Sequence, residues 1–391
     1  MARDAVIVEA VRTPLGKRDG SLKGWHPVDL LAEVLNESVA RSGVDASIVD
    51  DVICGCVSQV GEQSLNVGRN AWLAAGLPEE VPATTIDRQC GSSQQAVHFA
   101  AQGVLSGAYD VVIACGVESM TRVPMGSSAS VSGFPFSERL SSRYEGGLVP
   151  QGISSEIIGE RWGLTREEVD RFGARSHELA GKAMKEGAFK KEIFPIKIET
   201  EDGTHLFESD EGIRTPNLEK MAQLVPAFKP EGGITTAANS SQITDGAAAL
   251  VVTSSEKAGE LGLTPRARFV QFALAGTDPI TMLTGPIPAT RKVLGRGGMD
   301  LTDIDLVEIN EAFATVVLAW KKELGIEDDW FEDHVNVHGG AIALGHPLGA
   351  SGARLMTTLL NALERRGARF GLQTMCEGGG LANATIIERL G

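Results

Sequence analysis

Through most of the chain, short apolar runs alternate with longer segments whose apolar positions recur every three or four residues. Ala5 to Val8, Val49 to Val57, Val81 to Ile86 and Val111 to Gly116 read as buried strands. Between them, Pro27 to Arg41 carries Leu30, Leu31, Val34 and Leu35 on one stripe, with Gly43 just beyond, which predicts an amphipathic helix and its stop. Asn66 to Ala75 and Ser92 to Leu105 predict two more, the latter with Ala96, Ala100 and Val104 at helical spacing. From Arg122 to Gly152 the pattern dissolves into Ser, Gly and Pro. Helical periodicity then returns at Glu156 to Trp162 and Thr165 to Glu186, the second opened by the capping box Thr165-Arg166-Glu167-Glu168. The alternation resumes with strands at Gly246 to Thr253, Arg266 to Leu274, Ile304 to Ile309 and Gly371 to Met375. Helices are predicted after the first of these, at Thr290 to Leu294 and at Ala353 to Arg365. Strands alternating with helices imply parallel sheets covered on both faces.

The pattern repeats. Helix, Ser106-Gly107-Ala108, strand and Cys115-Gly116 are echoed by helix, Arg366-Gly367-Ala368, strand and Met375-Cys376. Asp51-Val52-Ile53 is echoed upstream of that by Asp305-Leu306-Val307. Near-equal offsets over two blocks suggest two copies of one α/β unit.

A chain of 391 residues is long enough for two domains and a large core. A net charge of −15 argues against a general nucleic-acid binder, so an anionic ligand would need a local basic patch. The odd number of cysteines (Cys54, Cys56, Cys90, Cys115 and Cys376) and the lack of a C-x-x-C pair argue against a disulfide framework or a zinc site. A reducing, cytoplasmic setting is expected. The N-terminal apolar run is too short for a signal peptide, and no apolar stretch approaches the roughly 20 residues that span a bilayer. No metal site is expected, and neither a Gly-x-Gly-x-x-Gly fingerprint after the first strand nor a P-loop is found.

Four stretches carry candidate chemistry. Asp87-Arg88-Gln89-Cys90-Gly91-Ser92 puts Cys90 in the turn between a strand and a helix N-terminus, where free N–H groups and the helix dipole favour a thiolate. His338 to Gly352 contains five glycines and a proline around His346; such a loop is costly in chain entropy, which argues for a working histidine able to exchange a proton with a thiol. Cys376-Glu377-Gly378-Gly379-Gly380 sets a second cysteine at a strand end beside N–H groups that could cradle an oxyanion. Asn310-Glu311-Ala312-Phe313 places polar residues where another buried strand ends.

Together these stretches resemble the thiolase family, the 3-oxoacyl-CoA and acetoacetyl-CoA thiolases, over essentially the whole chain. The resemblance includes Val11-Arg12-Thr13-Pro14 and Thr284-Gly285-Pro286-Ile287-Pro288-Ala289. It implies a thiolase-like α/β fold: two duplicated halves, an α-β-α-β-α layered core and an inserted loop domain. Residues 1–118 with 245–264 would form the N-terminal half, 119–244 the insertion that holds coenzyme A, and 265–391 the C-terminal half. It further implies thiolytic Claisen cleavage of a 3-oxoacyl-CoA. Cys90 would be the nucleophile, His346 its activator and Cys376 the acid that protonates the acetyl-CoA enolate. Asn310, through a water, and His346 would form one oxyanion hole; the N–H groups of Cys90 and Gly378 would form the other. Coenzyme A is then a co-substrate, with no permanently bound cofactor. The positions matching its contacts are Arg214, Phe228, Ala237 and Ser241, with Met282 near the acyl pocket. A homodimer or homotetramer is implied, with small acyl-CoA partners, no nucleic acid and no membrane.

The chain departs from the family pattern at His338, Gln242 and Glu377, and at Pro150-Gln151, which replace a His and a Met of short-chain biosynthetic members. These departures favour a degradative enzyme acting on longer or bulkier acyl groups, in fatty-acid or sterol side-chain breakdown. The alternatives are an acetoacetyl-CoA thiolase and a non-catalytic acyl-CoA or sterol carrier, which would be expected to lack Cys90 or Cys376.

Overall fold

A computed structural model describes residues 3–130, 133–201 and 203–391; residues 131 and 132, inside the Ser/Gly/Pro-rich stretch, lie outside it. The strands are β1 (Val6–Arg12), β2 (Gly16–Lys17), β3 (Asp51–Gly55), β4 (Ala83–Ile86), β5 (Val111–Ser119), β6 (Ile196–Thr200), β7 (Gly203–Phe207), β8 (Thr244–Thr253), β9 (Ala267–Gly276), β10 (Leu306–Ile309), β11 (Phe370–Glu377) and β12 (Leu381–Arg389). The helices that frame them are α1 (Pro27–Ser42), α2 (Val67–Ala74), α3 (Ser92–Ser106), α4 (Gln151–Arg161), α5 (Arg166–Lys185), α6 (Pro286–Gly297), α7 (Ala314–Leu324) and α8 (Ser351–Arg366).

The strands run in the order β10-β11-β12-β9-β1-β8-β5-β3-β4, with β2 beside β8. β3 pairs with β5 in parallel, β5 with β8 antiparallel and β8 with β1 antiparallel. The same connectivity recurs as β10 parallel to β11, β11 antiparallel to β12 and β12 antiparallel to β9. The two copies meet through two residue pairs of β1 and β9. The duplication read from the sequence is therefore a duplication of topology.

Each half buries one face on its own outer helices. Leu30, Leu31, Val34 and Leu35 of α1 and Trp72 of α2 cover the β1/β3/β5/β8 half. Val293 of α6, with Val317 and Trp320 of α7, covers the β10/β11/β12 half. The inner faces share a third cluster around α3 and α8: Val97 and Val104 meet Met356 and Leu360 between Val112 and Leu250 on one side and Leu306 and Ile387 on the other. That makes five layers. The middle helices are buried over most of their length: α8 is covered from Ser351 to Leu363, and α3 from Ser92 to His98, with Phe99 and Leu105 reaching the surface.

Four features differ from expectation. The strands form a mixed sheet rather than parallel ones, since β8, β1, β9 and β12 pair antiparallel at its centre. The run Val81 to Ile86 yields an edge strand rather than a buried one, because β4 pairs only with β3 and leaves Thr84 exposed. Strand β12 has no counterpart in the apolar pattern; its Asn383 and Thr385 are buried and face polar groups on α3 instead of solvent. The segment between β5 and β8 also holds a β6–β7 hairpin. Among the described residues, no helix is long and apolar enough to cross a membrane.

Candidate active site

Cys90 lies between β4 and α3, as the apolar pattern indicates. Gln89 takes a left-handed conformation (φ 49°), and the Ser92 hydroxyl locks the turn by accepting from Arg88 N–H (2.9 Å) and donating to Gln89 O (2.6 Å). Gly91 is required by close approach: a Cβ there would lie 2.0 Å from Glu377 Oε1 and 2.3 Å from Asn383 Oδ1. The sulfur packs with Met120, Leu348 and Met375, so the turn, the His346 loop and β11 converge on one point. Three N–H groups near this sulfur favour its thiolate form: the side-chain amide of Gln151, the backbone amide of Gly378 and its own.

The electrostatics correct the expectation of a resting thiolate. Burial first, and then the Glu377 carboxyl, push the Cys90 thiol up to about 12, and the three donors only partly offset this. Desolvation outweighs the helix terminus. Cys376, wholly buried, is raised well above its ordinary value by burial and then by Cys90 and Glu377. Both sulfurs rest as thiols, and Cys376 feels the charge of Cys90. Cys376 packs with Met282, Ile158 and Phe313.

His346 sits on a loop tied down from three sides. Gly345 before it has φ 114°, and a Cβ there would strike the Thr244 side chain at 2.3 Å. His346 N–H donates to Gln242 O (3.1 Å). The Ser351 hydroxyl donates to Pro347 O (2.9 Å), so it accepts from His346 Nδ1–H (2.5 Å). That fixes the tautomer and leaves a lone pair on Nε2, which lies 3.3 Å from Asn310 Nδ2. Burial, with Arg354 nearby, pushes His346 down to about 3, so the resting ring is a neutral base. Asn310 is positioned by its own N–H donating to Thr374 O (3.0 Å), and its Oδ1 is a buried acceptor with no partner among the described residues.

Several residues that frame the site are visible in the sequence but carry no sign of a role there. Glu311 accepts from Ser176 Oγ (2.6 Å), Asn336 Nδ2 (2.9 Å) and Ile342 N (3.1 Å), which braces the approach to His346. Glu118 accepts from Gly349 N (2.8 Å), Val57 N (2.9 Å) and Ser58 N (3.0 Å), which clamps the same loop to the other half. Each is a carboxylate at the end of a buried strand, the one signal that marks them. Nothing in the sequence points to Ser351 beyond its place at the start of a helix.

Arg214 and Ala237 line a cavity of about 280 Å³ with His177, Lys220 and Gln242. Gln242 joins this cavity to the reactive loop: Arg214 donates to its Oε1 (3.2 Å), and its Nε2 donates to the carbonyls of Gly212, Ile342 and Ala343 at 2.8–2.9 Å. Phe228 meets Phe313 edge-on at 6.1 Å, and Phe313 packs in the Cys376 cluster with Met282. Ser241 donates its N–H to Ala312 O (3.0 Å). These residues describe a path from an arginine at the surface to the second sulfur. His338 packs edge-on against Phe189 and has no such link.

Against known proteins, the family model described as "Thiolase, N-terminal domain" matches residues 5–256, and that described as "Thiolase, C-terminal domain" matches residues 263–389. A steroid 3-ketoacyl-CoA thiolase, FadA6, of Mycobacterium tuberculosis is 51% identical over 99% of this chain and 94% of its own length. A 3-ketoacyl-CoA thiolase of Vibrio vulnificus is 44% identical over 99% of this chain and all of its own. The crystal structure of an acetyl-CoA acetyltransferase from Bacillus anthracis matches at a TM-score of 0.91 and 41% identity, covering 100% of this chain and 99% of that one.

Proposed function

The chain belongs to the thiolase family, and from that premise we propose that it is a degradative acetyl-CoA C-acyltransferase, cleaving a 3-oxoacyl-CoA with coenzyme A into a shortened acyl-CoA and acetyl-CoA. The observation that carries the mechanism is the packing of the Cys90 turn against the His346 loop and β11, with the Gly378 N–H and the Gln151 amide favouring the thiolate and Cys376 near enough to feel its charge.

In the first half-reaction, His346 Nε2 takes the thiol proton of Cys90. The sulfur adds to the 3-oxo carbon, and the charge on its oxygen falls to the N–H groups of Cys90 and Gly378. The bond between C2 and C3 breaks, and its electron pair moves onto the acetyl-CoA carbon as an enolate. Cys376 gives its proton to that carbon. The protonated His346 now has Nε2–H to donate to the enolate oxygen, while Nδ1–H stays on Ser351. Asn310 Oδ1, buried and without a partner among the described residues, suits a water that shares the oxyanion. In the second half, the thiol of coenzyme A passes its proton to the Cys376 thiolate and attacks the acyl carbon. Cys90 leaves as thiolate and recovers its proton from His346. Only the substrates have changed at the end. The high resting pKa of Cys376 suits an acid that must protonate carbon and then be restored.

The segment 119–244 serves in this reading as the coenzyme A unit. Arg214 meets the nucleotide end, Ala237 and Ser241 border the arm, and Phe228 and Met282 lead to the sulfurs. The relative named for steroid substrates, with the Pro150-Gln151 and Gln242 departures, supports a bulky acyl group. The open edge of β4 supports assembly into a homodimer or homotetramer. Five free, buried cysteines suit a reducing cytoplasm. Thiolysis rates over a series of 3-oxoacyl-CoA thioesters, from acetoacetyl to ring-bearing side chains, test the substrate assignment. A preference for acetoacetyl-CoA would instead favour the biosynthetic reading.

A further inference from the structure

Two departures from the family pattern meet at the nucleophile. Gln151 is the first residue of α4, and Glu377 follows Cys376 on β11. The amide Nε2 of Gln151 lies 3.3 Å from where a Cβ on Gly378 would fall, with Gln89 Oε1 3.0 Å from the same point, so both side chains roof the oxyanion turn. From there the Gln151 amide, beside the Gly378 N–H, lies close enough to Cys90 to favour its thiolate form, as a donor held over the sulfur would. Two of the three N–H groups near this sulfur are backbone and would exist with any side chain at position 151. The third depends on the amide.

The groups that oppose or assist it can be named. Glu377 and Cys376 lie beside the sulfur on β11, Asp87 and Arg88 of its own turn act on the Glu377 carboxyl, and His346 comes from the loop whose Leu348 packs on Cys90. The Glu377 carboxyl is buried against Gly91, and no donor of adequate geometry reaches either oxygen among the described residues. Beside it, Asn383 Oδ1 is also a buried, unpartnered acceptor, while Asn383 Nδ2 donates to Gln95 Oε1 (3.1 Å). Two bare acceptors crowd one point. A carboxylic acid O–H donating to Asn383 Oδ1 satisfies both, so Glu377 rests neutral. When it ionises, its charge opposes the Cys90 thiolate.

We propose that Gln151 is a catalytic residue: its side-chain N–H holds the Cys90 sulfur as the thiolate forms, supplying stabilisation that the neighbouring acidic Glu377 cannot. This rests on Cys90 being the nucleophile of the thiolase reaction. It also makes the two departures a compensating pair, so that their substitutions should not be additive.

The test reads Cys90 directly, without substrate. Gln151→Met keeps the length of the side chain and removes the donor; Gln151→Lys keeps a donor. The rate of Cys90 carboxamidomethylation by iodoacetamide is followed at the Cys90 peptide by mass spectrometry at fixed pH between about 7 and 9, in the full-length protein, with folding checked by thermal melt. Losing a hydrogen bond to a charged group raises the thiol by about one pH unit, so Gln151→Met should react roughly tenfold more slowly. Its kcat should fall by a similar factor, with little change in KM. Gln151→Lys should react at the wild-type rate or faster, and Gln151→Met with Glu377→Gln should recover part of the loss. An unchanged rate in Gln151→Met, or equal damage from Gln151→Lys, overturns the proposal. Failure of wild-type Cys90 to take up an acyl group would instead overturn the thiolase mechanism itself, and the alkylation rates would still report on the donor.

Discussion

Replacing Glu377 with Gln should stabilise the protein, and increasingly so as the pH rises. Burial pushes the Glu377 carboxyl from its ordinary value near 4.5 up to about 8. Folding therefore favours the protonated form. The sign follows: the raised group contributes its full stability below pH 4.5, and that contribution is lost as pH climbs towards 8. A glutamine has the size of the protonated acid, and its NH2 can donate to Asn383 Oδ1 in the same way. It never ionises, so it escapes the loss. A tenfold change in a protonation equilibrium is worth about 1.4 kcal/mol, which puts the advantage of the variant on the order of 3 kcal/mol at neutral pH as an upper bound. With an unfolding entropy near 2 cal/mol/K per residue, that is roughly 4 °C in Tm for a chain of this size. Scanning calorimetry of both proteins from about pH 5 to 9 checks it. The Tm gap should be small at the acid end and widen with pH. A gap that stays flat, or widens towards acid, would refute the reading of Glu377 as a buried neutral acid.

Other expectations follow from the same geometry. Ser351→Ala removes the acceptor that fixes the His346 tautomer, so kcat should fall roughly 10- to 100-fold with little change in KM, as steady-state kinetics would show. Gly352→Ala would put a Cβ 2.1 Å from the backbone nitrogen of Gln94, where α8 crosses α3, and should cost more than about 3 kcal/mol, visible as lost soluble yield and a lower Tm. As its control, Gly295→Ala in α6 meets open space and should gain roughly 0.5–1 kcal/mol. Gln242→Ala cuts the tie between Arg214 and the carbonyls before His346, so KM for coenzyme A should rise several-fold ahead of any change in kcat; an unchanged KM would separate Arg214 from that ligand.

The fold is legible in the sequence where apolar runs have a single meaning. The buried strands Val111 to Ser119 and Thr244 to Thr253 are visible because every position is covered, and the duplicated topology follows from their spacing. Strand β12 is hidden because Thr385 and the Nδ2 of Asn383, polar in sequence, find partners in Gln94, His98 and Gln95 of the middle layer. That satisfaction exists only once the helix is in place. The Cys90, His346 and Cys376 stretches stand out through their glycines, since a reactive side chain on a tight loop needs backbone that can turn and approach closely. Glu118 and Glu311 do not, because each acts by accepting from loops distant in sequence; Ser351 does not because its bond to His346, though local, needs the folded loop to turn the ring toward it. The charge state of Cys90 escapes the sequence for a related reason. A helix N-terminus can be seen there, but the depth of burial that outweighs it cannot.

The central claim is that two sulfurs and one imidazole act on adjacent carbons of one substrate. The most direct measurement is single-turnover mixing of the wild-type and Cys376→Ser proteins with a 3-oxoacyl-CoA carrying its label on the acyl group, followed by peptide mass spectrometry. Label should accumulate on Cys90 as a thioester in the wild type. It should form at least 100-fold more slowly, on the same residue, in Cys376→Ser, given the usual scale of general-acid effects, roughly 100- to 10,000-fold. Label on another residue, or undiminished acylation without the Cys376 thiol, would contradict the account.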